Sequence, residues 1–484
     1  MRKHITNLHG HSAVSTALIS QQMTTTIAQK LDFNELAIYA YETSYDSDQE
    51  LSKRLDGILA GLSQGDLVVV QLPTWNDRRF ERALIDKIKY TFKAHLIVFI
   101  HDIPPIMFPQ NYYLMSSLIE IYNEAELVIV PSQEMYQRLY LEGLRVDKVL
   151  IQAMWDHPTE FQPGKISFQK KIHFAGDINK FDFIKQWPIS CAVDVYSNHG
   201  QNLDLPKEVT IKGWLPDYEL LTNLSKGGFG LVWTDQDYIQ DYFQMCITHK
   251  LSTYLAAGIP VFVPESLSNR KIIEDNGLGY VVKSLEEANE IIENMSESTY
   301  QELIDNVANF RQLIIQGYFT QRLLTATVFK IFSQGLSDFE GDLSHCPLMR
   351  KDHNIFILTA QDYLLHIDEI IQGLPNYQFH IAAQTQMSDR LLDLEKYPNV
   401  SLYPAAGKDQ INSLLLKANI YLDINYGVEV EDIVTKASNL GLTVYSFKDY
   451  CHQLGILDPN NIFAQDNYQD LIDQIKMQED RVKK

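Results

Sequence analysis

Short runs of β-branched and aliphatic residues alternate along this chain with longer stretches whose apolar positions recur every three or four residues. That rhythm predicts parallel sheets covered by helices on both faces. In the first part, strands are expected at His4–Leu8, Leu36–Tyr41, Asp66–Leu72, His95–Asp102, Leu127–Ser132 and Lys148–Gln152. Helical spacing marks Ser15–Leu31, Asp77–Tyr90 and Ser132–Leu141, the last opening on a capping serine. A polar stretch with two prolines and a glycine, residues 154–171, reads as a linker. The alternation then restarts, with strands at Lys171–Gly176, Ile189–Ser197, Val209–Pro216, Phe229–Thr234, Ile259–Pro264 and Gly279–Val282. Helices are expected at Met245–Ala257, twice near 285–315, and at Tyr318–Phe332, the last able to cross back onto the first lobe. After a second break at 333–354, strands follow at Asn354–Thr359, Tyr377–Ala383, Asn399–Pro404, Ile420–Asn425, Leu442–Phe447 and Asn461–Ala464.

The pattern is α/β throughout. It predicts a Rossmann-like lobe over 1–157, a second over 168–335 facing it across a cleft, and a third Rossmann-like domain over 350–484. The third resembles a worn copy of the second. Residues 209–235 share a plan with 399–425, and 250–263 with 433–446, placing Gly258 opposite Gly441.

Composition narrows the partners. The 484 residues carry a formal net charge of -21, which argues against nucleic acid and against adsorption to anionic membranes. A phosphate site must therefore be local, built from a few cations and helix N-termini. The four cysteines fit no zinc or redox spacing and read as reduced thiols. The N-terminus has no apolar signal-peptide core, and no run approaches the ~18 apolar residues of a membrane span. A soluble cytoplasmic protein without integral membrane association is expected.

The segment THKLSTYLAAGIPVFVPE, 248–265, carries the clearest chemistry. His249, Lys250 and Ser252 cluster at a helix start, where free N–H groups and the helix dipole favour an anion such as a diphosphate. The loop FAGDINK, 174–180, places Asn179 and Lys180 beyond a strand's carboxyl end, near the same ligand. Tyr218 is a candidate to stack on a nucleoside, and Asp235 to contact the donor sugar or the acceptor. In the first lobe, His11, Ser12 and Thr16 lie in a polar loop suited to an acceptor or to folding over a donor. Trp75 offers a sugar-stacking platform, and His101–Asp102 ends a strand at the cleft, with Asp102 the candidate general base. Each residue has a plainer reading as a cap, a packing residue or solvated surface. No dinucleotide fingerprint, Walker A, HExxH or GxSxG motif is present. Asp235 and Asp237 have DxD spacing, but their position before a helix of the second lobe does not favour a metal, and no cofactor is expected.

Together ITNLHGHSAVSTA, LSQGDLVVVQLPTWN, VFIHDIPPIMF, VIVPSQEM, HFAGDINK and THKLSTYLAAGIPVFV resemble bacterial GT-B sugar transferases over about residues 1–335. The nearest are the glucosyltransferases, once labelled nucleotide-sugar-synthetase-like, that extend O-linked GlcNAc on streptococcal serine-rich-repeat adhesins; galactofuranosyl and capsule transferases are also similar. The resemblance implies a GT-B architecture, a UDP-sugar substrate used without a metal, oligomer formation, and donor contacts from Thr16, Asn179–Lys180, Tyr218 and Lys250 with its neighbours. It does not extend to 350–484. In the repeat register Asp432 falls opposite His249, and an acid at that helix start repels a diphosphate, so the third domain is expected to lack donor binding and to serve docking or assembly.

Two functional classes follow. One is a hexosyltransferase acting on a glycan or glycoprotein acceptor. The other is a catalytically silent GT-B-like partner that stabilises another transferase. An epimerase or synthetase is disfavoured by the missing fingerprint.

Overall fold

The computed structural model describes residues 1–10, 16–200, 203–236, 241–333 and 353–482, the side chains of 16, 17 and 478–482 excepted. Its strands form three parallel six-stranded sheets. The first has the order β2-β1-β3-β4-β5-β6, from β1 (Lys3–His9), β2 (Phe33–Tyr39), β3 (Leu67–Leu72), β4 (His95–Ile100), β5 (Leu127–Val130) and β6 (Val149–Ile151). The second comprises β7 (Lys171–Ala175), β8 (Ala192–Tyr196), β9 (Val209–Ile211), β10 (Phe229–Leu231), β11 (Val261–Pro264) and β12 (Gly279–Val282), ordered β12-β11-β10-β7-β8-β9. The third has β13 (Asn354–Thr359), β14 (Gln378–Ala383), β15 (Val400–Tyr403), β16 (Ile420–Asp423), β17 (Thr443–Phe447) and β18 (Ile462–Phe463), ordered β15-β14-β13-β16-β17-β18. All the strands expected from the alternation are present. They are apolar runs because helices cover both faces: every residue of β3, LVVVQL, is buried.

Counting strands within each domain, the second and third sheets share one order, 3-2-1-4-5-6, while the first runs 2-1-3-4-5-6. The likeness seen between residues 209–263 and 399–446 therefore extends to strand order.

The first two sheets belong to one compact unit, 1–341, and the third to another, 342–484. The helix Tyr318–Phe332 joins the first two. Its Leu323 and Leu324 pack with Ile5, Val69, Ile97 and Phe99 of the first lobe. Its N-terminus is held by Asp156, whose carboxylate accepts from Phe319 N at 3.2 Å and Thr320 N at 2.7 Å. Here the linker reading needs correction. Trp155, Asp156 and His157 are buried, because they form the seam through which this helix docks.

Two further differences concern helices. Asp48–Leu59 is helical, closed by a Ser47–Glu50 capping box and burying Leu51, Leu55 and Leu59 at four-residue spacing. The helix expected from Met245 begins at His249, because Thr248 caps it and accepts from Lys250 N at 3.3 Å. Among the described residues no helix is long and apolar enough to cross a membrane.

Helix His249–Ala257 is locked beneath the second sheet by Tyr254. This ring is fully buried against Gly230, where a Cβ would lie 2.2 Å from it. Its hydroxyl accepts from Ala175 N at 2.8 Å and donates to Leu231 O at 3.2 Å, tying the helix to the ends of β7 and β10. Gly258, at φ +91°, ends the helix, and buried Arg311 donates to the Ala256 carbonyl at 2.6 Å. Replacing Tyr254 by Phe leaves a buried N–H and C=O unpaired and is expected to destabilise the first unit by about 1–3 kcal/mol in urea denaturation. An unchanged midpoint would show that the hydroxyl does not anchor the helix.

Candidate active site

Lys250 lies in the first turn of helix His249–Ala257, where unpaired N–H groups and the dipole already favour negative charge. Its ammonium sits 4.3 Å from the centroid of Phe181 and 5.7 Å from that of Phe174. Burial, and then the nearby Lys180 charge, push its pKa down to about 7. Among the described residues it has no carboxylate partner. Gly176 makes room for it, since a Cβ there would lie 3.1 Å from the Lys250 Cε and 2.7 Å from the Phe174 ring. The glycine of the FAGD loop thus clears the lysine stem.

His249 faces the first lobe. Its ring stacks on Trp155 at 4.2 Å and its Nε2 lies 2.5 Å from Ser20 Oγ. Burial pushes the ring's pKa well below its ordinary value. Trp155 also contacts His101, which lies between it and Phe99. Neither His101 nitrogen has a hydrogen-bond partner, and burial lowers its pKa to about 3. Asp102, next along the chain, accepts from the Tyr242 hydroxyl at 2.8 Å. Burial raises its pKa to about 6, against the opposing pull of that hydrogen bond and of Lys180. A carboxylate titrating near neutrality at a cleft is suited to take a proton.

The lobes are stitched beside this site by one segment of the second. Tyr242 reaches Asp102 and also accepts from Ile103 N at 3.3 Å. Met245 O accepts from Ser132 Oγ at 2.6 Å, and Ile247 O from Trp155 Nε1 at 3.1 Å. The structure thereby brings His101, Asp102, His249 and Lys250 into one neighbourhood, with Lys180 close enough to act electrostatically on Asp102 and Lys250.

Other expected residues stand differently. Asn179 and Lys180 are exposed in a turn where Asp177 accepts from Asn179 N at 2.9 Å. Ser252, expected as a donor to ligand, is fully buried and donates to His249 O at 3.0 Å, so its hydroxyl is spent within the helix. Tyr218 is 67% exposed and meets Phe161 edge-on. Asp235 borders a separate cavity of about 260 Å³ with Phe183, Trp233 and Glu286, which does not include Lys250. Trp75 is half-buried with φ +56°. Thr16 opens its helix, but its side chain, like His11, Ser12 and Asp237, lies outside the described residues.

Sequence reasoning missed Tyr242, Trp155 and Ser20. Tyr242 follows Asp235 and Asp237 closely, and the acids drew attention instead. Trp155 was hidden by the prolines that made its stretch look like a linker.

The chain matches the model of glucosyltransferase 3-like N-terminal domains over residues 2–154 and that of the C-terminal domains over 172–327. Residues 355–484 match the GftB/GlyA-F C-terminal domain. Glucosyltransferase 3 of Streptococcus gordonii is 46% identical over 336 residues, covering 69% of this chain and 100% of that protein. A UDP-N-acetylglucosamine–peptide N-acetylglucosaminyltransferase stabilizing protein of Streptococcus agalactiae is 35% identical over 127 residues, 26% of this chain and 28% of that one. The Anabaena HepE structure with UDP and glucose aligns with a TM-score of 0.50 at 12% identity, over 68% of this chain and 100% of that chain, and shows the GT-B fold.

His101 provides a test of the buried seam. Its folded pKa lies below the unfolded value, so its contribution to stability is complete above about pH 6.5 and is lost as pH falls toward 3. His101→Phe keeps the packing and removes the titration. The loss of unfolding free energy between pH 7 and 5 is expected to shrink by about 2 kcal/mol. Parallel pH dependences would contradict the burial of a neutral imidazole.

Proposed function

Because the chain belongs to the glucosyltransferase 3-like family, we propose that it transfers a hexose from a UDP-sugar to a hydroxyl of a glycan or glycoprotein acceptor, without a metal ion. The observation that carries this reading is Lys250, half-buried beside two phenylalanine rings, without a carboxylate partner among the described residues, and set in the first turn of a helix. A diphosphate supplies the missing negative charge. Lys180 adds a second cation, and the helix N–H groups complete the cradle. Among the described residues no three His, Cys, Asp or Glu side chains cluster as a metal site does.

In the reaction the bond from the anomeric carbon to the diphosphate oxygen breaks as a bond to the acceptor oxygen forms. Lys250 and the helix N-terminus stabilise the charge on departing UDP. Asp102 takes the acceptor proton, with Tyr242 holding its carboxylate in place. Trp75 and His101 are the acceptor-side contacts, and Asn179, Lys180, Tyr218 and His249 the donor-side ones. The third domain binds no donor. At the position matching the start of helix His249–Ala257 it has Asp432, in a left-handed conformation, before a helix of only seven residues. Its role is instead to dock an acceptor or partner.

A thermal-shift panel of UDP, UDP-sugars and dinucleotides, in EDTA, tests the donor. UDP and one UDP-sugar are expected to stabilise the protein; no shift with any of them favours the silent-partner reading instead. Lys250→Ala is expected to lower turnover by about 100-fold or more with the fold intact, and an unchanged rate would remove the lysine from the site. Tyr242→Phe removes a hydrogen bond that favours ionised Asp102. The acid limb of the pH–rate profile is therefore expected to move upward in pH, and an unmoved limb would show that Asp102 is not the base.

A further inference from the structure

The third domain has a cavity of about 290 Å³, at the carboxyl ends of β16 and β17. Asn425, Tyr426, Asp449, Tyr450 and His452 line it, with Gly427 and Cys451. Open α/β sheets bind ligands at this edge.

We propose that this cavity binds one neutral sugar ring of the acceptor glycan. The inference deepens the docking role proposed above for this domain and rests on it. Four features of the cavity select that chemistry.

First, Asn425 lines it, and this residue, 2% exposed, has a buried Oδ1 without a hydrogen-bond partner among the described residues. Such an atom is costly unless a donor reaches it, and a sugar hydroxyl is a donor. Second, Asp449 presents an exposed carboxylate on the same wall. Gln465 Nε2 donates to its Oδ2 at 2.8 Å, which orients the group and leaves acceptor capacity. Third, Tyr426, 67% exposed, stands 5.8 Å from Tyr450 at 64°, so two aromatic rings meet at the rim as a platform for apolar ring faces.

The fourth feature is what the wall lacks. Among the described residues no lysine or arginine lines it. Its histidine is already committed. His452 Nδ1 lies 2.6 Å from Asp423 Oδ1 and its Nε2 3.0 Å from Gly427 O, so both nitrogens face acceptors. The hydrogen bond to Asp423 raises the ring's pKa, and the buried Asp423 balances its charge. This pair fixes the loop after β17. It does not offer a phosphate site. The volume, at the lower end of small-molecule sites, suits a single ring better than a nucleotide sugar. The wall is rich in acceptors and aromatic surface, and a pyranose brings hydroxyl donors and C–H faces.

Ligand-observed saturation-transfer NMR on the full chain tests this. Methyl β-D-glucopyranoside and methyl N-acetyl-β-D-glucosaminide are titrated in saturating UDP, which keeps the donor site filled. At least one glycoside is expected to bind, equally to wild type and to Lys250→Ala. Tyr426→Ala and Asp449→Ala, both at exposed positions, are each expected to weaken it about tenfold. The proposal is overturned if neither glycoside binds, if either of those variants binds like wild type, or if Lys250→Ala abolishes binding. UDP-induced thermal stabilisation reports separately on the donor lobe, so failure here leaves that reading standing.

Discussion

A half-buried ammonium group with no carboxylate beside it among the described residues is unfavourable, and the second lobe is arranged around one. Lys250 lies over the Phe174 and Phe181 rings, with Gly176 giving way to its stem. Its helix is pinned by Tyr254 to the ends of β7 and β10 and by Arg311 at its carboxyl end. Such a group relaxes in two ways. It loses its proton near neutrality, or it meets an anion. The helix N-terminus beside it favours the anion. A local attraction of this kind is compatible with a chain of net charge -21. The attraction is local and desolvated, so the distant negative field is screened.

The first lobe meets this helix through aromatic and histidine packing. His101, Trp155 and His249 form a stack in which burial pushes the pKa of both imidazoles down. No positive charge from them competes with Lys250 for a diphosphate. Asp102 shares the seam but is pushed toward protonation, so burial moves a carboxylate up to about 6 and an ammonium down to about 7, each also feeling the charge of Lys180. Paired groups of this kind mark reaction sites more often than stability sites. The third domain repeats the strand order of the second, with Gly441 at φ +72° answering Gly258 at +91°. Yet it spends its charge on the internal Asp423–His452 pair. One topology thus presents a cation cradle in one copy and an acceptor-lined cavity in the other.

The sheets were legible because buried parallel strands are nearly pure apolar runs. VVVQL, LIVFI and ELVIV announce themselves without tertiary context. The helix His249–Ala257 was legible for a related reason. Thr248 before His249–Lys250, and Ala-Ala-Gly at its end, are local signals for a cap, a charged start and a left-handed stop. What escaped was set by contacts distant in sequence. Nothing near Trp155 says that a helix starting at Tyr318 will bury it, or that its indole will reach Ile247. Nothing near Ser252 says that its hydroxyl will turn back to His249 rather than toward a ligand. Tyr242 and Asp102 are 140 residues apart, and only the closed cleft makes them partners.

With its pKa pushed down to about 7, Lys250 is expected to take up a proton when a diphosphate arrives at pH 8. Calorimetric titration of UDP into the full chain at pH 8, in EDTA and in two buffers of different ionisation enthalpy, measures this directly. The account predicts metal-independent binding with a buffer-dependent enthalpy corresponding to uptake of up to about one proton, and loss of that uptake in Lys250→Met. Binding whose enthalpy is the same in both buffers, or no binding at all, would contradict it.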